Sequence, residues 1–153
     1  MHQSSCYFFT LFLIGQLVQL EAACTATGIP ASGEVTWTES TVPNDHFKEC
    51  YNLIKFTFSN SNNPTRIGSG SFQSTSLKSI EIPESLVEIG DYAFNGVTTL
   101  DTLQFQGVSK LTILGENSFE GTSIPVVTIP YGVVEIQPNT FKNSKLRTLN
   151  FYN

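Results

Sequence analysis

Four phenylalanines recur along the chain at nearly constant spacing. Phe72, Phe94, Phe119 and Phe141 lie 22, 25 and 22 residues apart. An aliphatic residue precedes each of them by five positions, and a second one follows by five or six positions. Self-similarity with a period of about 20 to 29 residues is typical of leucine-rich solenoids. Because one such repeat cannot bury its own apolar face, the sequence predicts a stack of turns.

The second aliphatic residue of each repeat opens a predicted strand. Its apolar-x-x-apolar-x-apolar spacing predicts five parallel strands, at residues 53–58, 77–82, 100–105, 124–129 and 146–151. Pro83 and Pro130 would end two of these strands, because proline has no N–H to continue a ladder. In the third repeat the following loop, residues 106–110, is two residues longer and contains Gly107 in place of the proline pattern.

The segment around each phenylalanine predicts a short helical turn. Asp91 is suited to cap such a turn over residues 92–94, and Gly96 is suited to end it in a left-handed conformation. Pro138 fits a first helical position in the last repeat. The predicted fold class is therefore a β-rich α/β solenoid. It is a leucine-rich repeat array of about five turns, with a parallel sheet on the concave face and short helical or 3-10 turns on the convex side.

Residues 80–94 read Ile-Glu-Ile-Pro-Glu-Ser-Leu-Val-Glu-Ile-Gly-Asp-Tyr-Ala-Phe. This stretch resembles the repeat of the BspA-like leucine-rich repeat proteins, whose pattern is Ile-x-Ile-Pro-x-x-Val-x-x-Ile-Gly-x-x-Ala-Phe. The match recurs at residues 129–136, although Ser118 replaces the alanine in one repeat and Gln137 the glycine in another. The resemblance covers roughly residues 53–153. It implies a secreted or surface-displayed protein used in adhesion to host proteins, other cells or matrix.

The N-terminus predicts a signal peptide over residues 1–23. Residues 7–20 form an apolar run too short to span a bilayer, which takes about 20 helical residues, and small residues follow at Ala22 and Ala23. The leader carries no Lys or Arg, so a buried helix or a misannotated start is the alternative interpretation. No second apolar stretch predicts a membrane span, and the expected location is secreted or cell surface.

The cysteines predict one disulfide. Cys6 would leave with the leader, so Cys24 and Cys50 would pair in an oxidising compartment, which stabilises by about 3.5 kcal/mol in the chain-entropy model. Two reduced thiols are the alternative. Residues 24–52 are predicted to form an N-terminal capping segment, and residues 53–153 the repeats, without a C-terminal cap. Within the cap, Val35 and Trp37 have strand spacing and would seal the first edge.

Composition and motifs argue against several function classes. The net charge is −5, and the 8 Lys and Arg residues are scattered, which disfavours nucleic acid as a partner. Asp45, His46, Glu49 and Cys50 form the densest cluster of reactive residue types, but His46 is the one histidine after the leader. A catalytic triad or a paired-histidine metal site would need further residues elsewhere. The sequence therefore predicts no enzyme and no cofactor.

The predicted ligand-binding surface is the solvent-facing side of the five strands. Its candidate contact residues are Lys55, Thr57, Ser79, Glu81, Thr102, Gln104, Val126, Thr128, Thr148 and Asn150. One carboxylate and one lysine far apart do not fit a polysaccharide-cleaving β-helix, the enzyme class considered as runner-up. One hypothesis is recognition of an extracellular protein or glycan by this concave sheet. The other is a structural spacer or self-assembling repeat fragment that associates edge to edge.

Overall fold

Thirteen strands make up the regular structure of the described residues. The computed structural model describes residues 9–13, 16–20, 29–59 and 62–152. In chain order the strands are β1 (Phe9–Leu13), β2 (Gln16–Leu20), β3 (Glu34–Trp37), β4 (Thr41–Val42), β5 (Lys55–Phe58), β6 (Arg66–Ile67), β7 (Ser79–Ile82), β8 (Glu88–Ile89), β9 (Thr102–Phe105), β10 (Ile113–Leu114), β11 (Val126–Ile129), β12 (Glu135–Ile136) and β13 (Thr148–Phe151).

The four-residue strands from β3 onward begin successive turns of a solenoid. They form parallel pairs, β3 with β5, β7 with β9 and β11 with β13, and β5 lies next to β7. The last five of them fall inside the five ranges predicted from sequence, so the strand prediction and the count of about five turns are confirmed. In β7, Ile80 and Ile82 are buried while Ser79 and Glu81 are exposed. This alternation is the pleat that the spacing predicts.

A second parallel sheet runs along another side of the stack. It consists of five two-residue strands in the order β12-β10-β8-β6-β4. Its second positions include Ile67, Ile89 and Leu114, which are fully buried. No strand is predicted from sequence at these aliphatic residues. Two residues are too few to show an alternation, so the sheet becomes visible only when neighbouring turns pair.

The predicted helical turns on the convex side are wrong: residues 29–59 and 62–152 contain no helix. Tyr92 and Gly96, on either side of Phe94, have positive φ angles of 56° and 70°, which interrupt a right-handed helix. The N–H groups of residues 92, 94 and 96 instead donate to carbonyls of the next turn, at N···O distances of 2.7–2.9 Å. A helix would keep these amides for its own carbonyls. Asp91 and Pro138 accordingly start no helix, whereas the left-handed Gly96 is confirmed.

Positive φ recurs two residues before and two residues after each of five core phenylalanines, Phe47, Phe72, Phe94, Phe119 and Phe141. Such backbone favours glycine and asparagine, and those two types fill most of these positions. The residues are Asp45 and Glu49, Gly70 and Ser74, Tyr92 and Gly96, Asn117 and Gly121, and Asn139 and Asn143. Each turn therefore bonds to the next through the same pattern of amides, and this ladder of turns forms the side of the solenoid behind the strands.

Stacked phenyl rings fill the interior. The ring centroids of consecutive phenylalanines are 5.1–5.6 Å apart and the planes lie 6–14° from parallel. The five rings belong to Phe47, Phe72, Phe94, Phe119 and Phe141. The sequence analysis had missed Phe47, although Val42 precedes it by five positions and Leu53 follows it by six. Pro43 in place of the usual glycine hid this repeat.

The N-terminal residues are described in part. Strands β1 and β2 pair antiparallel, with Phe9 opposite Leu20. The rest of the predicted signal peptide, residues 1–23, lies outside the described residues, so that interpretation stays a prediction. Across the described chain, no helix is long and apolar enough to cross a membrane.

Candidate functional site

The candidate contact residues form one surface, here called the strand face. It comprises the outward positions of β3, β5, β7, β9, β11 and β13. All ten residues named from sequence lie on these strands, and nine of them are exposed, while Thr128 is half-buried. Strand pairing places them in register: Ser79 opposite Thr102, Glu81 opposite Gln104, Val126 opposite Thr148, and Thr128 opposite Asn150. The result is a grid of mostly hydroxyl and amide groups.

Strand β3 extends the strand face by residues that the sequence analysis had not included. Glu34 lies opposite Lys55, and Thr36 lies opposite Thr57. The Lys55 ammonium and the Glu34 carboxylate form an ion pair at 3.3 Å. The inward spacing of Val35 and Trp37 was recognised from sequence, and the same alternation implies that Glu34 and Thr36 point outward.

Charge on the strand face is confined to its N-terminal half. Besides the Glu34–Lys55 pair, the face carries Glu81, whose carboxylate accepts a hydrogen bond of 2.7 Å from the Gln106 side chain. From Thr102 onward, the outward strand positions hold no ionisable side chain. A neutral grid of this kind can donate and accept hydrogen bonds across a flat contact, and it has no group suited to acid–base chemistry.

A polar ladder lines the opposite side, on the ladder of turns. From Gln73 onward, the residue after each stacked phenylalanine bonds its counterpart in the adjacent turn. Gln73 donates to Asn95 at 3.4 Å, and Asn95 donates to the Glu120 carboxylate at 3.0 Å. That carboxylate also accepts from Asn143 at 3.3 Å and pairs with Lys142 at 3.7 Å. These side chains bond one another, so the polar ladder is part of the stacking.

The cluster of reactive residue types near the first turn is separated into different environments. Asp45 is exposed and pairs with Lys48 at 3.5 Å. The His46 ring packs against Trp37, with centroids 4.9 Å apart, and burial lowers its pKa. Cys50 is buried, and its sulfur lies 3.8 Å from the Lys48 carbonyl oxygen. Within the described part of the chain, no three His, Cys, Asp or Glu residues converge as metal ligands would.

The predicted disulfide involves one described residue and one that is not. Cys50 lies in the core of the first turn, whereas Cys24 lies outside the described residues. The Cys24–Cys50 pairing therefore stays a prediction.

The chain resembles known proteins in sequence and in fold. A family model described as the BspA-type leucine-rich repeat region matches residues 40–153 in 6 copies. The fold is similar to the pneumococcal vaccine antigen PcpA, with a TM-score of 0.75 and 23% identity over 79% of this chain and 31% of that one. It is also similar to a leucine-rich repeat protein from Bacteroides capillosus, with a TM-score of 0.51 and 26% identity over 58% of this chain and 64% of that one.

The match extends the resemblance seen in the sequence. Among curated proteins, none matches the chain. Relative to the pneumococcal antigen the chain spans 31% of the length, so it corresponds to a part of that protein. The family model finds 6 repeat copies, and these repeats account for the strands and rings that lie in register in the structure. The chain belongs to the BspA-type leucine-rich repeat family.

Proposed function

We propose that the chain is a secreted or surface-displayed repeat module that recognises an extracellular protein or glycan through its strand face. The observation that carries this proposal is the in-register grid of exposed hydroxyl and amide side chains, from Ser79 on β7 to Asn150 on β13. Core packing does not require these side chains, and a rigid stack holds them in place. Preorganised groups lose less conformational entropy on binding.

The proposed domain organisation follows the sequence analysis. Residues 1–23 are a signal peptide, residues 24–52 form the N-terminal cap and include the repeat-like turn of Phe47, and residues 53–153 form the other repeats. The likeness to a pneumococcal vaccine antigen supports an extracellular setting for the fold. The strand β3 and the ring of Trp37, 6.3 Å from that of Phe56, support a capping role for the segment before the repeats. The Cys24–Cys50 disulfide would tie that cap to the core.

The test is a pair of charge substitutions at the centre of the strand face. The residues that contribute most to binding usually cluster at the centre of an interface, where water is excluded. Gln104 and Thr128 lie near the centre of the strand face. The double variant Gln104→Lys/Thr128→Lys should lose binding in a screen of matrix proteins and glycans, with an unchanged melting temperature. The matched control Asn52→Lys/Asn62→Lys adds the same charge at exposed positions off the strand face and should bind normally.

One outcome would reassign the binding surface. If the strand-face variant still binds, and Asn95→Lys or Glu120→Lys abolishes binding, the ladder of turns is the recognition surface instead.

A second candidate function is self-assembly through β13. In the described structure β13 pairs with β11, and its inward-facing side chains Leu149 and Phe151 are 38% and 59% exposed. Such a strand edge with apolar side chains is a template for pairing with another chain. Sedimentation of the protein at rising concentration tests the idea. A monomer at every concentration whose β13 amides stay protected from hydrogen exchange would contradict it.

A further inference from the structure

The chain contains one asparagine that is followed by glycine, at Asn95 and Gly96. The pair lies on the ladder of turns, directly after the buried ring of Phe94, and both residues are half-buried. The backbone requires glycine here, because Gly96 has a φ of 70°. The fold therefore keeps an Asn-Gly sequence at a position that water can reach.

The side chain of an asparagine before glycine can react with the main chain. The Gly96 nitrogen attacks the Asn95 amide carbon, so a Cγ–N bond forms while the bond from Cγ to Nδ2 breaks. The amide NH₂ takes up the proton of the Gly96 N–H and leaves as ammonia. Water then opens the resulting succinimide ring to aspartate or isoaspartate. Glycine favours the ring closure, because no Cβ obstructs the approach.

The folded chain holds both reacting groups away from this geometry. The Gly96 N–H donates to the Glu120 carbonyl of the next turn at 2.9 Å. The Asn95 side chain donates to the Glu120 carboxylate at 3.0 Å and accepts from Gln73 at 3.4 Å. Ring closure requires the Gly96 N–H to be released and the Asn95 side chain to rotate. Both bonds to Glu120 therefore have to open before the reaction can occur.

The products of the reaction do not fit the polar ladder. Aspartate at position 95 has no N–H to donate, and its carboxylate would lie where the amide nitrogen now lies, 3.0 Å from that of Glu120. Two negative charges at this distance repel each other. Isoaspartate adds a methylene group to the main chain before Gly96 and displaces its N–H from the Glu120 carbonyl. Because ammonia is lost, the original bonds are not restored.

We propose that Asn95 is a site of spontaneous modification whose rate is set by the opening of the ladder of turns. Glu120, which holds Asn95, is itself bound from the following turn by Asn143 at 3.3 Å and by Lys142 at 3.7 Å. Three stacked turns thus protect the asparagine. The reaction converts a transient local opening into a permanent one. The site lies apart from the strand face, so the inference goes beyond the function proposed above.

The experiment follows the full chain during incubation in mildly alkaline buffer, where the backbone nitrogen loses its proton more readily. Mass spectrometry of peptides measures the conversion of each asparagine, with and without urea. In urea, Asn95 should convert before every other asparagine. Without urea its conversion should be at least about tenfold slower, because the ladder has to open first.

A substitution at Glu120 tests the protecting bond. Glu120→Ala removes the side-chain acceptor and keeps the reacting pair. A hydrogen bond to a charged group favours the bound state by about tenfold or more, so Asn95 should convert at least about tenfold faster without urea and at an unchanged rate in urea. The matched control Glu116→Ala alters a half-buried glutamate of the same turn, whose side chain bonds Asn117, and should leave the rate unchanged.

Several results would overturn the proposal. These are equal rates at Asn95 with and without urea, and equal rates in Glu120→Ala and the unsubstituted chain. Glu120→Gln keeps an uncharged acceptor and should give a smaller acceleration, which tests the same bond if the alanine variant loses its fold. The converted protein, separated by its added negative charge, should exchange hydrogen faster at residues 92–97 than the unconverted protein. Equal exchange would contradict a permanent opening.

Discussion

The two ends of the phenylalanine stack contain the same residue in different surroundings. Phe47, at the N-terminal end, is 1% exposed, because Trp37 and His46 cover it with ring centroids 5.6 and 4.6 Å away. Phe141, at the C-terminal end of the described stack, is half-buried. Both rings stack on one neighbour in the repeat direction. The two rings differ in exposure because other side chains cover the outer face of Phe47, whereas the outer face of Phe141 is partly exposed.

Whether a core side chain is buried in this fold therefore depends on the turns next to it. The interior residues Ile80 and Ile82 are 1% and 0% exposed, whereas their counterparts Leu149 and Phe151 are 38% and 59% exposed. The sequence pattern is the same at both places. Stability should accordingly be a sum of terms for single turns and for contacts between adjacent turns. Substitutions at matched positions in different turns test this view.

The largest difference is expected between two phenylalanine truncations. Phe94 is fully buried between two stacked rings, so Phe94→Ala should lower the free energy of unfolding by about 3–5 kcal/mol. Phe141 is half-buried and stacks on one ring, so Phe141→Ala should cost less than half as much. Urea unfolding of both variants measures the two values. Equal losses would contradict the dependence on neighbouring turns.

A smaller difference is expected between two glycines. A Cβ at Gly115 would lie 2.6 Å from the Asp91 backbone nitrogen of the preceding turn, which cannot move without breaking the ladder. Gly115→Ala should therefore destabilise by about 1–3 kcal/mol. At Gly132 the nearest atom would be the Leu111 carbonyl oxygen, 3.1 Å away. Gly132→Ala should cost less than about 1 kcal/mol in the same urea experiment, and a larger loss there than at Gly115 would contradict the difference in packing between the two sites.

The strands and the core could be predicted because each follows from a local pattern. The alternation in residues such as Ile80 and Ile82 fixes the buried side of a strand, and the phenylalanine spacing fixes the stack. The ladder of turns could not be read in this way. Its left-handed residues include Tyr92, Glu49 and Ser74, types that rarely adopt positive φ, so glycine and asparagine at the other positions did not stand out.

Sequence also left parts of the surface undetermined. The strand face was predicted because outward positions alternate with buried ones, and Glu34 and Thr36 follow by the same rule once β3 is recognised. The exposure of Val108 was not predicted, since a valine in a loop has no periodicity. The parallel pairing of β10 with β12 places Val108 and Tyr131 on adjacent turns.

Replacing two buried serines by alanine should change the free energy of unfolding in opposite directions. The hydroxyl of Ser118 is buried and has no hydrogen-bond partner within the described structure, whereas that of Ser71 donates to the Pro43 carbonyl at 2.8 Å. The preceding turn carries Ala93 at the position of Ser118. Ser118→Ala should therefore raise the free energy of unfolding, and Ser71→Ala should lower it, each by about 1 kcal/mol. Thermal unfolding of the two variants checks the signs, and destabilisation by both would mean that Ser118 has a partner in solution.

The smallest effect is expected at the N-terminal end and depends on pH. Burial lowers the pKa of His46 below its usual 6.5, because the charged ring loses contact with water. In the unfolded chain the pKa is unshifted, so below about pH 6.5 the unfolded state binds more protons than the folded state. The stabilisation is complete above that pH and is lost as the pH falls through the lowered pKa of the folded state. Acidification from pH 7.5 to 5.5 should lower the urea midpoint.

The variant His46→Gln separates this effect from other titrations. It removes the ring that titrates and leaves His2, the other histidine, in both proteins. Trp37 is the one tryptophan, so its fluorescence reports the environment of His46 directly, while hydrogen exchange at residues 137–145 reports the opposite end. Below pH 6.5 the fluorescence should change in the unsubstituted chain and stay constant in the variant. Exchange near Phe141 should be unaffected, because the titrating ring packs against Trp37 and Phe47, at the other end of the stack. An equal pH response of the two proteins would mean that His46 does not close the first turn in the way its contacts indicate.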